Sequence, residues 1–170
     1  MKAFSRAIAK KLVSILCLAA IILQQIDALD AQSRASAGAS DHLIVPGERI
    51  GPIFIGMTET QLYQRLGDPS ETVRGNDGTW IEYDYNNLGL SIYADPATHK
   101  VYTIGTQGDN SPYSTREGIR VGSSELQVQI LPWKLLWKRV AHGRWKFQYP
   151  GIQIETQNGN VIFIAVQSHN

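Results

Sequence analysis

The sequence predicts an α+β fold made of two tandem β-α-β-β-β units, each a short helix packed on an antiparallel meander sheet. Three observations lead there. "IGPIFIGMTETQLYQRLGDP" (50–69) has an echo in "EGIRVGSSELQVQILPW" (117–133), each an apolar phrase ending in Gly, then Thr or Ser, then an apolar-periodic segment. Each phrase is followed by three strand-like runs at hairpin spacing, which leaves no room for crossover helices. Laid side by side, the halves place Gly56 on Gly122, Gly89 on Gly151 and Val101 on Val161. The second half reads as the first with trimmed loops.

The chain begins with Lys2, Arg6, Lys10 and Lys11 ahead of "LVSILCLAAIIL" (12–23), an uninterrupted run of mostly apolar residues. That run is the length of a secretory h-region and shorter than the roughly 20 apolar residues of a membrane span. A signal peptide is expected over 1–31, with cleavage after Ala28, Ala31 or Ala37, and export to a bacterial periplasm. Cys17 is the one cysteine in the sequence. Leu16 precedes it where a lipobox needs a small residue, so no lipid anchor is expected and Cys17 leaves with the leader. Thiol catalysis, zinc–cysteine sites and a disulfide framework are then excluded. A flexible linker is expected over 32–46, the first unit over 47–110 and the second over 111–170.

In the first unit, Thr58 reads as an N-cap, with Glu59 in the first turn where the helix dipole favours negative charge. Leu62, Tyr63 and Leu66 give the apolar stripe, and Gly67 with Pro69 ends the helix. "TWIEYDY" (79–85) alternates, with Ile81, Tyr83 and Tyr85 opposing Trp80, Glu82 and Asp84. Asn86-Asn87 turns into "LGLSIYA" (88–94), and "VYTIGTQ" (101–107) is the third strand. In the second unit Ser123 or Ser124 caps a helix with Leu126, Ile130 and Leu131 expected inward. Strands follow at "RWKFQY" (144–149), "GIQIET" (151–156) and "NVIFIAV" (160–166).

The Gly56-Met57-Thr58 helix start, the Leu66-Gly67-Asp68-Pro69 stop and the Lys100-Val101 hairpin resemble the BamE-like (SmpA/OmlA) family of small envelope proteins. The tandem arrangement is similar to the β-lactamase inhibitory proteins. The first copy matches over 50–105. The second departs from the pattern, with Ser123-Ser124 for Met-Thr and Leu131-Pro132-Trp133 at the stop, and the family's lipid-bearing cysteine is absent. The resemblance implies a non-enzymatic scaffold, assembly factor or inhibitor, on a scaffold that serves many roles.

Catalytic motifs are missing. There is no H-E-x-x-H, G-x-S-x-G or P-loop, and His42, His99, His142 and His169 are isolated from one another. "RGNDGTW" (74–80) lacks the alternating acids and distal Glu of an EF-hand and reads as a turn. No catalytic residues, metal site or cofactor are expected. Glu82 and Asp84 share one strand face, the basis of a rival reading as an envelope hydrolase. A further alternative is a small-ligand-binding stress protein.

Charge is unevenly divided. Residues 32–110 carry five Lys/Arg against ten Asp/Glu, net −5, and residues 111–170 carry seven against three, net +4. The cations concentrate in "PWKLLWKRVAHGRWKF" (132–147), where Trp133, Trp137 and Trp145 interleave with Lys134, Lys138 and Arg139. Tryptophan among cations is the composition of a binding hot spot. These six residues are the expected partner-binding set, unless the tryptophans close the core with the cations solvated at their edges. The expected partner is an envelope protein. No nucleic acid partner is expected for an exported protein of near-neutral charge, and membrane contact is expected to be peripheral at most.

Overall fold

Alternation of apolar and polar side chains, the period-two signature of strands, builds most of the molecule. The computed structural model describes residues 41–141 and 143–168, without the side chains of Trp137, Arg139, Val140 and Ala141. The expected signal peptide with Cys17, the first part of the linker, His142 and His169 lie outside the described residues. Strand β1 (Leu43–Val45) falls within the segment expected to be linker, and Asp41 just before it pairs with Arg49 at 2.6 Å.

With β2 (Arg49–Ile50), β3 (Ile53–Phe54) and β8 (Ser114–Thr115), β1 forms a small sheet in the order β3-β2-β1-β8. The remaining strands are β4 (Glu71–Arg74), β5 (Ile81–Tyr85), β6 (Leu90–Ala94), β7 (Val101–Gln107), β9 (Trp137–Ala141), β10 (Arg144–Tyr149), β11 (Ile152–Gln157) and β12 (Asn160–Gln167). They form one sheet in the order β4-β5-β6-β7-β12-β11-β10-β9.

This corrects the expected α+β fold of two tandem β-α-β-β-β units. The molecule is mostly β, and its halves share a sheet because β7 pairs antiparallel with β12, from Phe163 opposite Gln107 to Gln167 opposite Thr103. The physical reason lies in the strand edges. A separate three-stranded meander would leave one side of β7, and likewise of β12, with unpaired N–H and C=O groups. Joining them satisfies both edges. It also lines up a row of opposed side chains across six strands: Tyr83, Ile92, Ile104, Val166, Ile152 and Tyr149. All six are buried.

Helix α1 (Glu59–Leu66) follows the expected capping. The Thr58 hydroxyl accepts from the Gln61 backbone N–H, and the Thr58 N–H donates to Gln61 Oε1 at 2.9 Å. At the other end Gly67 takes φ 77°, and its N–H donates to the Tyr63 carbonyl. The chain entering the helix is pinned to the sheet by Gly56 N–H to Val101 O (2.7 Å) and Val101 N–H to Met57 O (2.8 Å). Leu62 is fully buried.

Helix α2 (Glu125–Gln129) is capped by Ser124 with Gln127 in the same way. Its inward residue is Val128, not the expected Leu126 and Ile130, which are 67% and 72% exposed. Five residues present one turn and a half. The helix is oriented by its ends, through Glu125 Oε2 accepting from Thr156 and the Val128 carbonyl accepting from Tyr149, so Val128 is the residue turned to the sheet.

Glu59 ties α1 to the β6–β7 hairpin. Its Oε1 accepts from the Tyr63 hydroxyl at 2.8 Å and its Oε2 lies 2.9 Å from His99 Nδ1. Burial pushes the Glu59 carboxyl up, but the hydrogen bonds from Tyr63 and from His99, with the Tyr83 hydroxyl alongside, outweigh it and hold the group below its ordinary 4.5. Burial and then the same carboxylate raise the Tyr63 phenol to about 12. The Tyr83 hydroxyl is buried and completes no hydrogen bond.

Leu62→Ala is expected to cost about 2–5 kcal/mol, and Leu126→Ala to stay within about 0.5 kcal/mol, in urea denaturation. Equal losses would restore Leu126 to the core. The lowered carboxyl of Glu59 contributes stability that is present above pH 4.5 and lost as pH falls through the folded value. The stability gap between wild type and Glu59→Gln should therefore shrink between about pH 6 and about pH 3, as read from urea midpoints.

Candidate functional site

The segment between α2 and β9 leads into the edge strand of the large sheet. Trp133 sits at the middle of that segment. Its ring meets Tyr149 edge-on, with centroids 5.6 Å apart and an interplanar angle of 83°. Tyr149 is itself fixed by donating its hydroxyl to the Val128 carbonyl at 2.9 Å, and burial raises its phenol pKa. The indole is half-buried and packs on the core.

Two grooves run along Trp133. One, of about 280 Å³, is walled by Pro46, Lys134, Tyr149 and Pro150. The other, of about 230 Å³, is walled by Leu43, Val45, Pro46, Arg116 and Glu117 among others. A hydrogen bond from Gly47 N–H to Gly151 O (2.8 Å) holds the β1–β2 turn against the β10–β11 turn, which places Pro46 near Pro150.

Of the other expected binding residues, Lys134 is exposed. Lys138 projects from β9 over aromatic rings, with Nζ 4.0 Å from the Trp145 centroid and 5.2 Å from that of Phe147. Lys138 lies opposite Phe147 in the β9–β10 ladder, so it shares that residue's inner face. Trp145 is half-buried, and Lys138 covers part of its ring. Trp137 and Arg139 belong to β9, opposite Gln148 and Lys146, and their side chains lie outside the description. The structure thus brings Trp133 with Lys134 to one place and Lys138 with Trp145 to another.

Alongside Trp133, the same stretch exposes Leu126, Ile130, Leu135 (43%) and Leu136 (55%). Sequence reading missed this apolar surface because it assigned Leu126 and Ile130 to the core. It also missed β9. Trp137–Ala141 pairs antiparallel with Arg144–Tyr149 only two residues further on, a hairpin spacing that the concentration of tryptophan and cations hid.

Glu82 and Asp84 do share the outer sheet face. Each is engaged there: Glu82 accepts from the Tyr93 hydroxyl at 2.5 Å and Asp84 from the Ser91 hydroxyl at 2.6 Å. Burial, then the bond to Glu82, raises the Tyr93 phenol well above its ordinary value. Among the described residues no three or more His, Cys, Asp or Glu side chains converge as a metal site would require, and no helix is long and apolar enough to cross a membrane.

No family model matches the chain, and no curated protein matches it. Three solved chains are similar to it, two of them as follows. One is an extracellular protein containing an SCP domain from Bacillus anthracis str. Ames, with TM-score 0.47 and 11% identity over 67% of this chain and 44% of that one. The other is a cysteine-rich secretory protein from Staphylococcus aureus subsp. aureus Mu50, with TM-score 0.45 and 10% identity over 72% of this chain and 48% of that one. The chain spans less than half the length of either. The expected kinship with BamE-like proteins and the β-lactamase inhibitory scaffold, and the internal repeat read with it, is corrected here: no BamE-like family model matches the chain, and one continuous sheet stands where two separate meanders were expected.

Lys138→Ala removes the cation from the Trp145 and Phe147 rings at a partly exposed site, and is expected to cost about 0.5–1 kcal/mol in urea denaturation. No loss would mean that the contact is not maintained in solution.

Proposed function

We propose that this is an exported, non-enzymatic binding protein of the bacterial cell envelope, which holds a protein partner against the surface around Trp133. One observation carries the reading. The stretch from Leu126 to Leu136 leaves four large aliphatic side chains exposed, and the half-buried tryptophan within it lines two grooves. Scattered single apolar residues on a surface need no explanation, but a concentration of this kind marks a contact site. A rigid indole in a groove is the usual anchor of such a contact, and the exposed Lys134 gives it a charged rim. Export, with the periplasm as the proposed compartment, rests on the basic leader and the apolar run at 12–23.

The narrower roles of assembly factor and inhibitor came from the BamE-like resemblance and leave with it. A catalytic role has little to build on, since each carboxylate of the Glu82/Asp84 pair is already held by a hydroxyl.

The test is crosslinking and affinity capture from envelope extract with the full chain tagged at its C-terminus. Ile130→Asp with Leu135→Asp, at two exposed positions, should keep the wild-type melting temperature and lose at least about tenfold in partner recovery. Equal recovery by variant and wild type would remove the Trp133 surface as the contact site.

A further inference from the structure

The outer face of the large sheet carries a second site, independent of the Trp133 surface. Where β7 ends beside the bulged start of β12, a cleft of about 500 Å³ opens, within the usual size range of small-molecule sites. Its walls include Asn86, Ser91, Gln107, Arg144, Gln157 and Ile162.

The backbone explains why a cleft forms there. Val161 pairs with Thr156 and Phe163 with Glu155, so Ile162 is an extra residue that interrupts the ladder. On the opposite wall Gly89 takes φ 62°, and a Cβ there would sit 2.5 Å from the Gln107 carbonyl. Glycine therefore lets the 86–89 turn close against the end of β7.

The lining has a definite chemistry. Asn86, Gln107 and Gln157 are amides, each able to donate and to accept, and the buried Ser91 hydroxyl, which donates to Asp84, accepts from Gln107 Nε2 at 3.4 Å and so positions that amide. Arg144 supplies the one positive charge among these lining residues. Its Nε donates to Gln157 Oε1 at 3.3 Å, and it makes no ion pair among the described residues. Of the nearby carboxylates, Asp84 accepts from Ser91 of the cleft wall at 2.6 Å, and Glu155 is paired with Lys146 at 2.8 Å. The partly exposed Ile162 provides the apolar part, while the Leu90 side chain is turned into the core.

We propose that this cleft binds an acidic sugar. Side chains that both donate and accept match ligand hydroxyls, which do the same, and a guanidinium without an acidic partner matches one carboxylate. The apolar patch suits the C–H face of a sugar ring. A plain anion would leave the amides without a role, and a neutral sugar would leave Arg144 without one.

The experiment is a titration of the full chain with D-glucuronate, D-glucose and acetate, followed by backbone amide NMR shifts. Glucuronate should saturate with its largest shifts at Gly89, Gln107, Gly108 and Gln157, while glucose binds about tenfold or more weakly and acetate does not saturate. Arg144→Ala should weaken glucuronate by about tenfold or more, and Gln107→Ala by a smaller factor. Both positions are exposed, so unchanged melting curves verify the fold. The proposal is overturned if glucuronate fails to saturate, if its shifts fall outside the cleft, if acetate matches it, or if both variants bind as wild type.

Discussion

The pairing of β7 with β12 is the constraint on which the rest depends. Each strand carries a ladder of hydrogen bonds on its other side already, so their contact closes the last open edges inside the sheet. The register then decides everything that follows. Setting Ile104 opposite Val166 and Thr106 opposite Ile164 puts the apolar faces of both meanders on the same side of one surface. A shift of one residue would turn every side chain of one half to the wrong face. Both helices and the small sheet lie on this common apolar side, as the buried Leu62, Val128, Ile44 and Ile50 record.

Tyrosine hydroxyls and glycines connect this sheet to what covers it. Tyr85 donates to the Gly67 carbonyl behind α1 and Tyr149 to the Val128 carbonyl in α2, so each helix is held at its C-terminal end by a core aromatic of the sheet. The N-terminal ends are held by backbone, through Val101 for α1 and Val161 for α2. Short helices that would be marginal alone persist because both ends are fastened to a rigid platform.

The two candidate sites are consequences of how this platform ends. On the inner side, α2 is too short to cover the sheet out to β9, and the connecting segment leaves Trp133 and its aliphatic neighbours partly in solvent. On the outer side, the bulge at Ile162 and the turn at Gly89 break the flat surface where the two halves meet, and the polar cleft forms in the gap. Neither site uses the carboxylate pair of β5, whose members are tied to Ser91 and Tyr93.

Much of the local structure was determined by the sequence alone. Period-two alternation located β5, β6, β7, β10, β11 and β12 to within a residue or two, because a half-buried strand imposes that pattern directly. Thr58 with Glu59, and Gly67 with Pro69 after Leu66, bounded α1 for equally local reasons. What tertiary structure decided was anything that depends on a distant partner. The union of two meanders in one sheet rests on two edges more than fifty residues apart, and no local signal encodes which edge meets which. The orientation of α2 follows from bonds to Thr156 and Tyr149 on other strands, which is why Leu126 and Ile130 read as core and are exposed. The fate of the tryptophan segment had the same cause: residues that compose a hot spot in sequence are divided by the β9–β10 hairpin, Trp133 onto a groove and Trp145 beneath Lys138.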